Sequence, residues 1–418
     1  MSAADHPPDP PGASRPWGAF LFRDYRVLWI ALISATVVVW MRILSTAQWL
    51  FDETGSAMLV GAIGVVQLVV QVPALLWGGT LADRIDRKRL MALANGATFG
   101  VMLSLGLLDA QGLLSPAMVY AGIAFTAFSQ MLASPARSAL VPIVVPQKHL
   151  MRAASTDTAS QNAAAIAGPL LFAGVVAAFD ITAAFFVAAG ISLISVLAPL
   201  AIRAHGIAGG HEEGSATTAL TQTWEGLRFV ARHPILPGLF LLDTGITVAS
   251  FYREILPVLA LGLFAGGASA TGLLGAANST GAIVGSFFAL LLVGYRAKGM
   301  LVLYASLAYG VILFGFGTAS TLWMGALMIA ALGAADAVTV AVRQTTVMLT
   351  TPDHMRGRAF ALMILAAQTA NNVGTIWVGA WAGAIGAGNT MVLGGAISIA
   401  ATLAIWRLWR PIREFRST

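Results

Sequence analysis

The sequence contains no cysteine, which excludes disulfide bonds, thiolate metal sites and cysteine nucleophiles. Its six histidines neither cluster with metal-ligand spacing nor fall in the middle of an apolar run. The sequence also lacks a nucleotide-phosphate loop and a nucleophile elbow. These absences favour a protein that is not an enzyme, needs no cofactor or metal, and draws its energy from an ion gradient rather than from a nucleotide.

Charge is scarce as well. Only 10% of the 418 residues are charged and 58% are hydrophobic, whereas a soluble domain is typically about 25% charged and about 45–50% apolar. Because no water-soluble core could absorb this excess, the apolar surface must face a lipid bilayer. A span needs roughly 20 apolar residues, and about twelve such runs fit the chain. Numbered as helices 1 to 12, the predicted runs are 27–51, 58–82, 90–109, 116–134, 154–178, 181–202, 236–259, 269–293, 300–318, 320–342, 359–384 and 389–408. The sequence therefore predicts an all-α membrane protein with twelve transmembrane helices.

The longest polar stretch divides the chain near its middle. It predicts a cytoplasmic linker at 203–235 between an N-terminal six-helix half at 23–202 and a C-terminal six-helix half at 236–408. The proline-rich segment 1–22 is predicted to be a disordered cytoplasmic tail, and 409–418 forms a second tail. Within the linker, apolar residues at helical intervals (Leu220, Trp224, Leu227 and Val230) indicate either a short amphipathic helix at the inner surface or the start of helix 7.

The placement of basic residues predicts the orientation. If the N-terminus is cytoplasmic, all 24 lysines and arginines except Arg42 and Arg253 fall in the tails, in the inner loops or at the inner end of helix 10. The net charge of +6 is thus spread over short clusters rather than one patch, which argues against a nucleic-acid partner. We expect a multi-pass protein of the bacterial inner membrane with both termini in the cytoplasm.

An internal repeat relates the two halves. Aligning Arg42 with Arg253 also aligns Gly61 with Gly272 and Gly64 with Gly275. A second alignment matches two inner loops, with Arg137, Pro146 and Arg152 in the first and Arg343, Pro352 and Arg358 in the second, where Arg356 lies close by. Two parallel six-helix repeats with a binding site between them are common in secondary transporters. The repeat predicts two pseudo-symmetric six-helix bundles.

The loop after the second apolar run reads Gly79-Thr80-Leu81-Ala82-Asp83-Arg84-Ile85-Asp86-Arg87-Lys88. It resembles the signature loop of the major facilitator superfamily, and this resemblance implies that fold and transport by alternating access. A carboxylate at Asp83 can accept hydrogen bonds from a helix N-terminus, and basic side chains can pair with carboxylates across the inner face. We predict a conformational latch formed by Gly79, Asp83, Arg84, Arg87 and Lys88; the alternative is a basic cluster that only sets topology.

Four further stretches are similar to the branch of this superfamily that contains siderophore exporters of the enterobactin type and related drug and macrolide exporters. They are Pro135–Pro142, Glu225–Pro234, Asp336–Gln344 and Thr351–Arg358. The resemblance implies export of a small amphipathic molecule, driven by exchange for protons. Two alternatives remain open: an importer or facilitator of the same fold, and a membrane sensor or scaffold that transports nothing.

Polar residues inside apolar runs are the candidate proton or substrate residues, because ionisable groups are costly in a bilayer. They lie on helices 1, 4, 7 and 10, which the resemblance places around a central cavity: Arg42, Gln130, Asp243, Arg253, Glu254 and Asp336.

Each ionisable candidate has an alternative role. Asp336 either handles protons or pairs with Arg343, two turns later on the same helix. Arg42 and Arg253 form part of an outer gate or receive an anionic cargo, and Glu254 could pair with a neighbouring arginine; the alternative is a shorter helix 7 with Arg253 and Glu254 at the outer surface. Asp243 has no partner nearby in the sequence. It either hydrogen-bonds to a helix end or carries the proton, and it is the first choice for a proton carrier because Arg343 could hold Asp336.

Overall fold

A computed structural model of the protein describes residues 18–82, 86–203, 216–292 and 294–416. The first half contains α1 (Arg23–Thr54), α2 (Ala57–Ala82), α3 (Arg87–Ala110), α4 (Pro116–Val144), α5 (Leu150–Ala178) and α6 (Ile181–Leu200). The second part contains α7 (Ala216–Arg232), α8 (Leu236–Ser250), α9 (Leu256–Phe264), α10 (Ala268–Leu291), α11 (Lys298–Gly317), α12 (Leu322–Thr350), α13 (Asp353–Ile385), α14 (Ala387–Leu408) and α15 (Arg410–Glu414). Short 3-10 helices span Gly18–Leu21 and Gln147–His149.

In the described residues, α1 to α6 and α8 to α14 form twelve membrane crossings, and α7 and α15 are not part of any crossing. Ten helices in the described residues are long and apolar enough to cross a membrane. The other two crossings are α2, whose Ala57–Gln71 segment is apolar, and the consecutive pair α8 and α9. The predicted twelve-helix, all-α fold is confirmed. The first and last described residues, Gly18 and Arg416, then lie at one end of the bundle, which we call the termini end, and the loop between α1 and α2 lies at the opposite end.

The two halves repeat the same helix packing. In the first half α3 packs on α4 and α6, α1 packs on α5 and α6, and α2 packs on α4. In the second half α11 packs on α12 and α14, α8 packs on α13 and α14, and α10 packs on α12. The halves meet mainly through α2 against α13 and α5 against α10. This arrangement is the pseudo-symmetry that the sequence repeat predicts.

Equivalent glycines make both of these contacts. A Cβ added to Gly61 on α2 would lie 2.9 Å from the Cα atom of Gly379 on α13. A Cβ added to Gly272, its repeat partner on α10, would lie 2.6 Å from the backbone oxygen of Pro169 on α5. Small residues let helix backbones approach closely, and both glycines lie near the opposite end of the bundle. The two halves are therefore packed tightly together at that end.

The seventh membrane crossing, which α8 and α9 form together, is interrupted, and the sequence analysis did not predict this. Its first helix ends at Ser250 and its second begins at Leu256, so that Phe251–Ile255 form a non-helical segment in the middle of the crossing. Pro257 explains the interruption, because proline has no amide hydrogen to donate to the carbonyl group of Arg253 and its ring collides with that carbonyl. The equivalent position on α1 is Thr46, and α1 continues through it as a helix.

The linker helix α7 is separate from α8. His233 lies between them, and its Nδ1 atom accepts hydrogen bonds from the backbone amides of Ile235 at 3.1 Å and Leu236 at 3.2 Å. Burial lowers the pKa of the His233 ring, which favours the neutral form that can accept these bonds. The α7 helix packs on α13 and α2, so it lies at the termini end across the boundary between the halves.

Candidate functional site

A cavity of about 180 Å³ lies within the C-terminal half. Its walls come from α8, the non-helical segment Phe251–Ile255, α10, α11, α12 and α13, and it extends from that segment towards the termini end. Its polar lining includes Asp243, Arg253, Asn278, Tyr309, Asp336 and Arg343. Three of the six sequence candidates, Asp243, Arg253 and Asp336, line this cavity, and Glu254 follows Arg253 in the chain. The other two, Arg42 and Gln130, belong to the N-terminal half.

Asp243 forms an ion pair with Arg343, which crosses from α12 to α8. The two side chains are 17% and 7% exposed. The alternative that Arg343 pairs with Asp336 is therefore wrong, and the partner of Asp243 is an arginine distant in sequence rather than a helix end. Seven residues of helix separate Asp336 from Arg343 by about 10 Å of rise, whereas α8 brings a carboxylate directly opposite the guanidinium group.

Asp336 faces the cavity with its side chain exposed to it. Arg253 is the opposite charge that acts on this carboxylate, and the tyrosines Tyr252 and Tyr309 lie close enough to interact with it electrostatically. The tyrosine hydroxyl groups donate elsewhere, Tyr252 to Asn278 at 2.7 Å and Tyr309 to Ser250 at 3.2 Å. Within the described residues, Asp336 makes no hydrogen bond or ion pair, so its carboxylate is available to a ligand.

Arg253 and Glu254 lie inside the bundle, not at its outer surface. The Arg253 guanidinium carbon lies 4.9 Å from the ring centroid of Trp40 and 5.7 Å from that of Phe251. Glu254 is 6% exposed and accepts a 3.4 Å hydrogen bond from the Thr375 hydroxyl group. The alternative of a shorter seventh transmembrane helix with both residues outside is wrong, because the seventh crossing continues beyond these two residues as α9.

Arg42 joins this group from the N-terminal half. It lies on α1, and its charge acts on Glu254, which interacts electrostatically with Arg253 as well. The two repeat-related arginines therefore both act on one buried carboxylate. The sequence placed both arginines in the same membrane region and suggested that Glu254 could pair with a neighbouring arginine; the structure shows electrostatic interaction with both arginines.

Gln130 does not line the cavity. Its amide nitrogen donates to the Thr98 hydroxyl group at 3.2 Å and to the Asn95 side-chain oxygen at 3.4 Å, both on α3. Since α3 packs within the N-terminal half, Gln130 connects two helices of that half. These contacts fit a packing role better than contact with a substrate.

A buried polar cluster in the N-terminal half was missed by sequence reasoning. Arg137 on α4 donates to the side-chain oxygen of Gln161 on α5 at 2.8 Å. Asp157, one turn earlier on α5, is 7% exposed and accepts a 2.9 Å hydrogen bond from the Tyr25 hydroxyl group on α1. The available signal was Asp157 itself, a carboxylate inside an apolar run opposite a repeat-matched arginine.

The predicted latch lies partly outside the described residues, since Asp83 and Arg84 fall in the segment 83–85. Gly79 belongs to α2 and Arg87 is the first residue of α3. Asp86 caps α3 by accepting from the Lys88 amide at 2.8 Å. The Lys88 ammonium group donates to the carbonyl oxygen of Ile202 at 3.1 Å, beyond the end of α6. It therefore meets a carbonyl group there rather than the carboxylate that the sequence suggested.

The two inner-loop motifs occupy equivalent places at the termini end. Pro146 precedes the 3-10 helix Gln147–His149 and Pro352 precedes α13, which places Arg152 and Arg358 in the first two turns of α5 and α13. The second motif makes two ion pairs at the termini end. Arg358 pairs with Glu225 of α7 at 2.6 Å, and Arg356 pairs with Asp353 at 2.8 Å. Arg358 thereby ties the linker helix to the C-terminal half.

Comparisons with known proteins agree along nearly the whole chain. Residues 14–417 match the family described as "Transmembrane secretion effector". The enterobactin exporter EntS of Citrobacter koseri is 26% identical over 409 residues, covering 95% of this chain and 92% of that protein. EntS of Shigella boydii serotype 4 is 26% identical over 411 residues, covering 96% and 92%.

Solved transporter structures share the fold at low sequence identity. The nucleoside transporter NupG superimposes with a TM-score of 0.76 at 12% identity, covering 92% of this chain and 99% of that one. The D-xylose-proton symporter gives 0.66 at 13% identity, covering 93% and 98%. These similarities establish the architecture alone, since a fold does not by itself imply a substrate.

Proposed function

Because this chain belongs to the major facilitator superfamily, in the family of transmembrane secretion effectors, we propose that it is a proton-coupled exporter of a small amphipathic molecule. The family makes the chain a multi-pass membrane transporter rather than an enzyme. The observation that carries the proposal of proton coupling is the Asp336 carboxylate, which faces the cavity without a hydrogen bond or ion pair in the described residues.

Asp336 is a better proton carrier than Asp243 on geometric grounds. Asp243 is held by Arg343, and its protonation would leave a buried cation without its partner, which is costly. Asp336 is open to the cavity, so alternating access would expose it in turn to the two sides of the membrane. A carboxylate whose surroundings alternate in this way can bind a proton in one state and release it in the other.

The direction of transport rests on the exporter relatives and on the orientation. We place both termini in the cytoplasm of a bacterial inner membrane, because the basic residues collect at the termini end. The close packing of the halves at the opposite end supports a cavity that opens towards the cytoplasm in this state. A cytoplasmic molecule could then enter the cavity directly.

Single cysteines in this cysteine-free chain test the orientation. Gln111 and Gln147 are exposed at opposite ends of the bundle and offer a matched pair of replacements. In intact cells, an impermeant maleimide should label Gln111→Cys and leave Gln147→Cys unlabelled until the membrane is permeabilised. The reverse pattern would overturn the proposed orientation.

Inverted vesicles with an imposed pH gradient, acidic inside, test the coupling. We expect the parent protein to accumulate a cargo, with enterobactin and ethidium as the first probes, and Asp336→Asn to lose accumulation while keeping downhill equilibration. Asp180→Asn is the control, since Asp180 only caps α6 at the opposite end. Undiminished accumulation by Asp336→Asn would exclude this residue, and its loss in Asp243→Asn alone would reassign the proton to Asp243.

A further inference from the structure

We propose that the cargo carries one positive charge, as an organic ammonium group on an apolar or aromatic body, and that this group and the proton occupy Asp336 in turn. The inference rests on the proposed function, because it names the class of substrate that the same site accepts. It departs from the cargo named for the EntS relatives, and it follows from which charges of the cavity are already matched.

The arginines near the cavity are already engaged. Arg343 is paired with Asp243. The Arg253 guanidinium group is stacked on Trp40 and Phe251 and lies beside Glu254. An anionic cargo would therefore have to compete with the carboxylates of Asp243 and Glu254 for these arginines, although the Nε and Nη1 atoms of Arg343 make no hydrogen bond in the described residues. The Asp336 carboxylate is exposed to the cavity and makes no hydrogen bond or salt bridge in the described residues, and Arg253, the cation that acts on it, also acts on Glu254.

The helices around Asp336 supply no competing cation. No lysine or arginine occurs on α8, α9 or α10, those of α11 and α13 lie in their first two turns at the termini end, and Arg343 of α12 is paired with Asp243. At the depth of Asp336, α11 contributes Tyr309, α13 contributes Asn371, and the non-helical segment contributes Tyr252 and Arg253. Arg253 is therefore the one charged group that acts on Asp336 among the described residues.

The remaining walls suit an ammonium group. Phe251, Tyr252 and Tyr309 border the cavity, and aromatic faces attract cations. Ammonium hydrogens can donate to the oxygens of Asp336 and to the side-chain oxygens of Asn371 and Thr339 nearby. An amphipathic amine would thus find an acidic partner, aromatic surface and hydrogen-bond acceptors in one place.

Charge balance explains why the cargo should be monovalent. Binding either a proton or a monocation at Asp336 raises the charge of the site by the same amount, and the two cannot bind this carboxylate together. Exchange is then one for one and moves no net charge across the membrane. Transport should respond to the pH difference and be indifferent to the membrane potential, whereas exchange of a proton for a neutral or anionic cargo would respond to both.

A matched series of probes tests the charge. We would measure binding to the purified full-length protein by calorimetry with 2-(2-naphthyl)ethylamine, the corresponding alcohol, and 2-naphthylacetate. The amine should bind at least about tenfold more tightly than either analogue, the gain expected from one charge-assisted hydrogen bond. Its affinity should fall as the pH is lowered, with release of a proton on binding. Equal or tighter binding of the carboxylate would overturn the inference.

Variants assign the binding to Asp336. Asp336→Asn should lose about tenfold or more in affinity for the amine and should lose the proton release, while Asp336→Glu should retain both. The Asp180→Asn control should bind as the parent does. Unchanged amine binding by Asp336→Asn, in protein that still elutes as a folded species, would contradict the inference.

Transport separates this inference from the proposed function. In proteoliposomes, a pH gradient should drive accumulation of the amine, and a potassium diffusion potential set with valinomycin should leave its rate unchanged. Asp336-dependent pumping of enterobactin without amine binding would preserve the proposed function and refute the inference. Amine binding without any gradient-driven movement would refute proton-coupled export and leave the cation site standing.

Discussion

The two halves share their helix packing but treat their buried charges differently. In the N-terminal half, Arg137 donates to the neutral side chain of Gln161 and acts on Asp157 without an ion-pair contact, while Tyr25 donates to Asp157. In the C-terminal half, the repeat-related Arg343 meets the carboxylate of Asp243, and a second carboxylate stays open to a cavity. The two halves therefore share their helix packing, whereas the cavity with its exposed carboxylate, Asp336, lies in the C-terminal half.

The interruption between α8 and α9 is part of this difference. Arg42 and Arg253 are repeat partners, yet Arg42 lies on the continuous helix α1 and Arg253 lies between two helices. A single proline at position 257 accounts for the change. At the interruption Arg253 lies over the ring of Trp40 in the other half, and both arginines act electrostatically on Glu254.

The largest effect should come from breaking the ion pair of the C-terminal half. Arg343→Met leaves Asp243 as an uncompensated buried charge, which typically costs about 3–5 kcal/mol. Arg137→Met removes the hydrogen-bond partner of neutral Gln161, and an unsatisfied polar group costs about 1–3 kcal/mol. Asp157, on which Arg137 also acts electrostatically, keeps its hydrogen bond from Tyr25. Thermal unfolding in detergent should therefore show a larger loss for Arg343→Met. The double variant Asp243→Leu with Arg343→Met should recover most of that loss; if it does not, the pair is not the cause.

A smaller loss should follow from the cluster of the N-terminal half. Tyr25→Phe removes the hydrogen bond to Asp157, and bonds to charged groups are worth about 1.5–3 kcal/mol. We expect lower thermal stability with unchanged proton coupling, because this cluster lies away from the cavity. Loss of coupling in a protein that keeps its stability would show that both halves handle protons.

Much of the frame could be predicted from the sequence. Apolar runs fix the number of crossings, and the repeat fixes how the helices pair, because both depend on hydrophobicity and on small residues such as Gly61 and Gly272. The candidates Asp243, Arg253, Glu254 and Asp336 were also found, since an ionisable side chain in an apolar run is costly whatever its partners are.

The partners of these residues could not be predicted. Sequence spacing suggested that Asp336 pairs with Arg343, but two turns of one helix are farther apart than two facing helices. The effect of Pro257 was not recognised, so the interruption and the contact between Arg253 and Trp40 were missed. Asp157 was overlooked because its partner Tyr25 lies on a helix that is distant in sequence.

The symmetric contacts between the halves should respond symmetrically. Leucine at Gly61 or at Gly272 would overfill a tight contact, and overpacking costs typically about 1–3 kcal/mol in the closed arrangement. Spin labels on Glu53→Cys and Asn389→Cys, exposed near the opposite end, should show a longer distance in both variants. Gly190→Leu is the control, since nothing lies within 4 Å of a Cβ at that site. Opening in only one variant would mean that the two contacts differ in strength.

The smallest change in stability should come from Pro257→Ala, which tests whether one residue separates the two versions of this helix. Proline is tolerated in the first turn of α9, so its removal should change stability by no more than about 0.4–1 kcal/mol, largely through the unfolded chain. The restored amide can donate to the Arg253 carbonyl group, and we expect slower hydrogen exchange in Phe251–Ile255. Transport should fall, because a continuous helix would draw Arg253 away from Trp40 and Glu254 away from Thr375.

Pro237→Ala, in the first turn of α8, is the control and should leave hydrogen exchange in Phe251–Ile255 unchanged. If both variants exchange like the parent, the interruption is imposed by packing against α13 and α14 rather than by the proline.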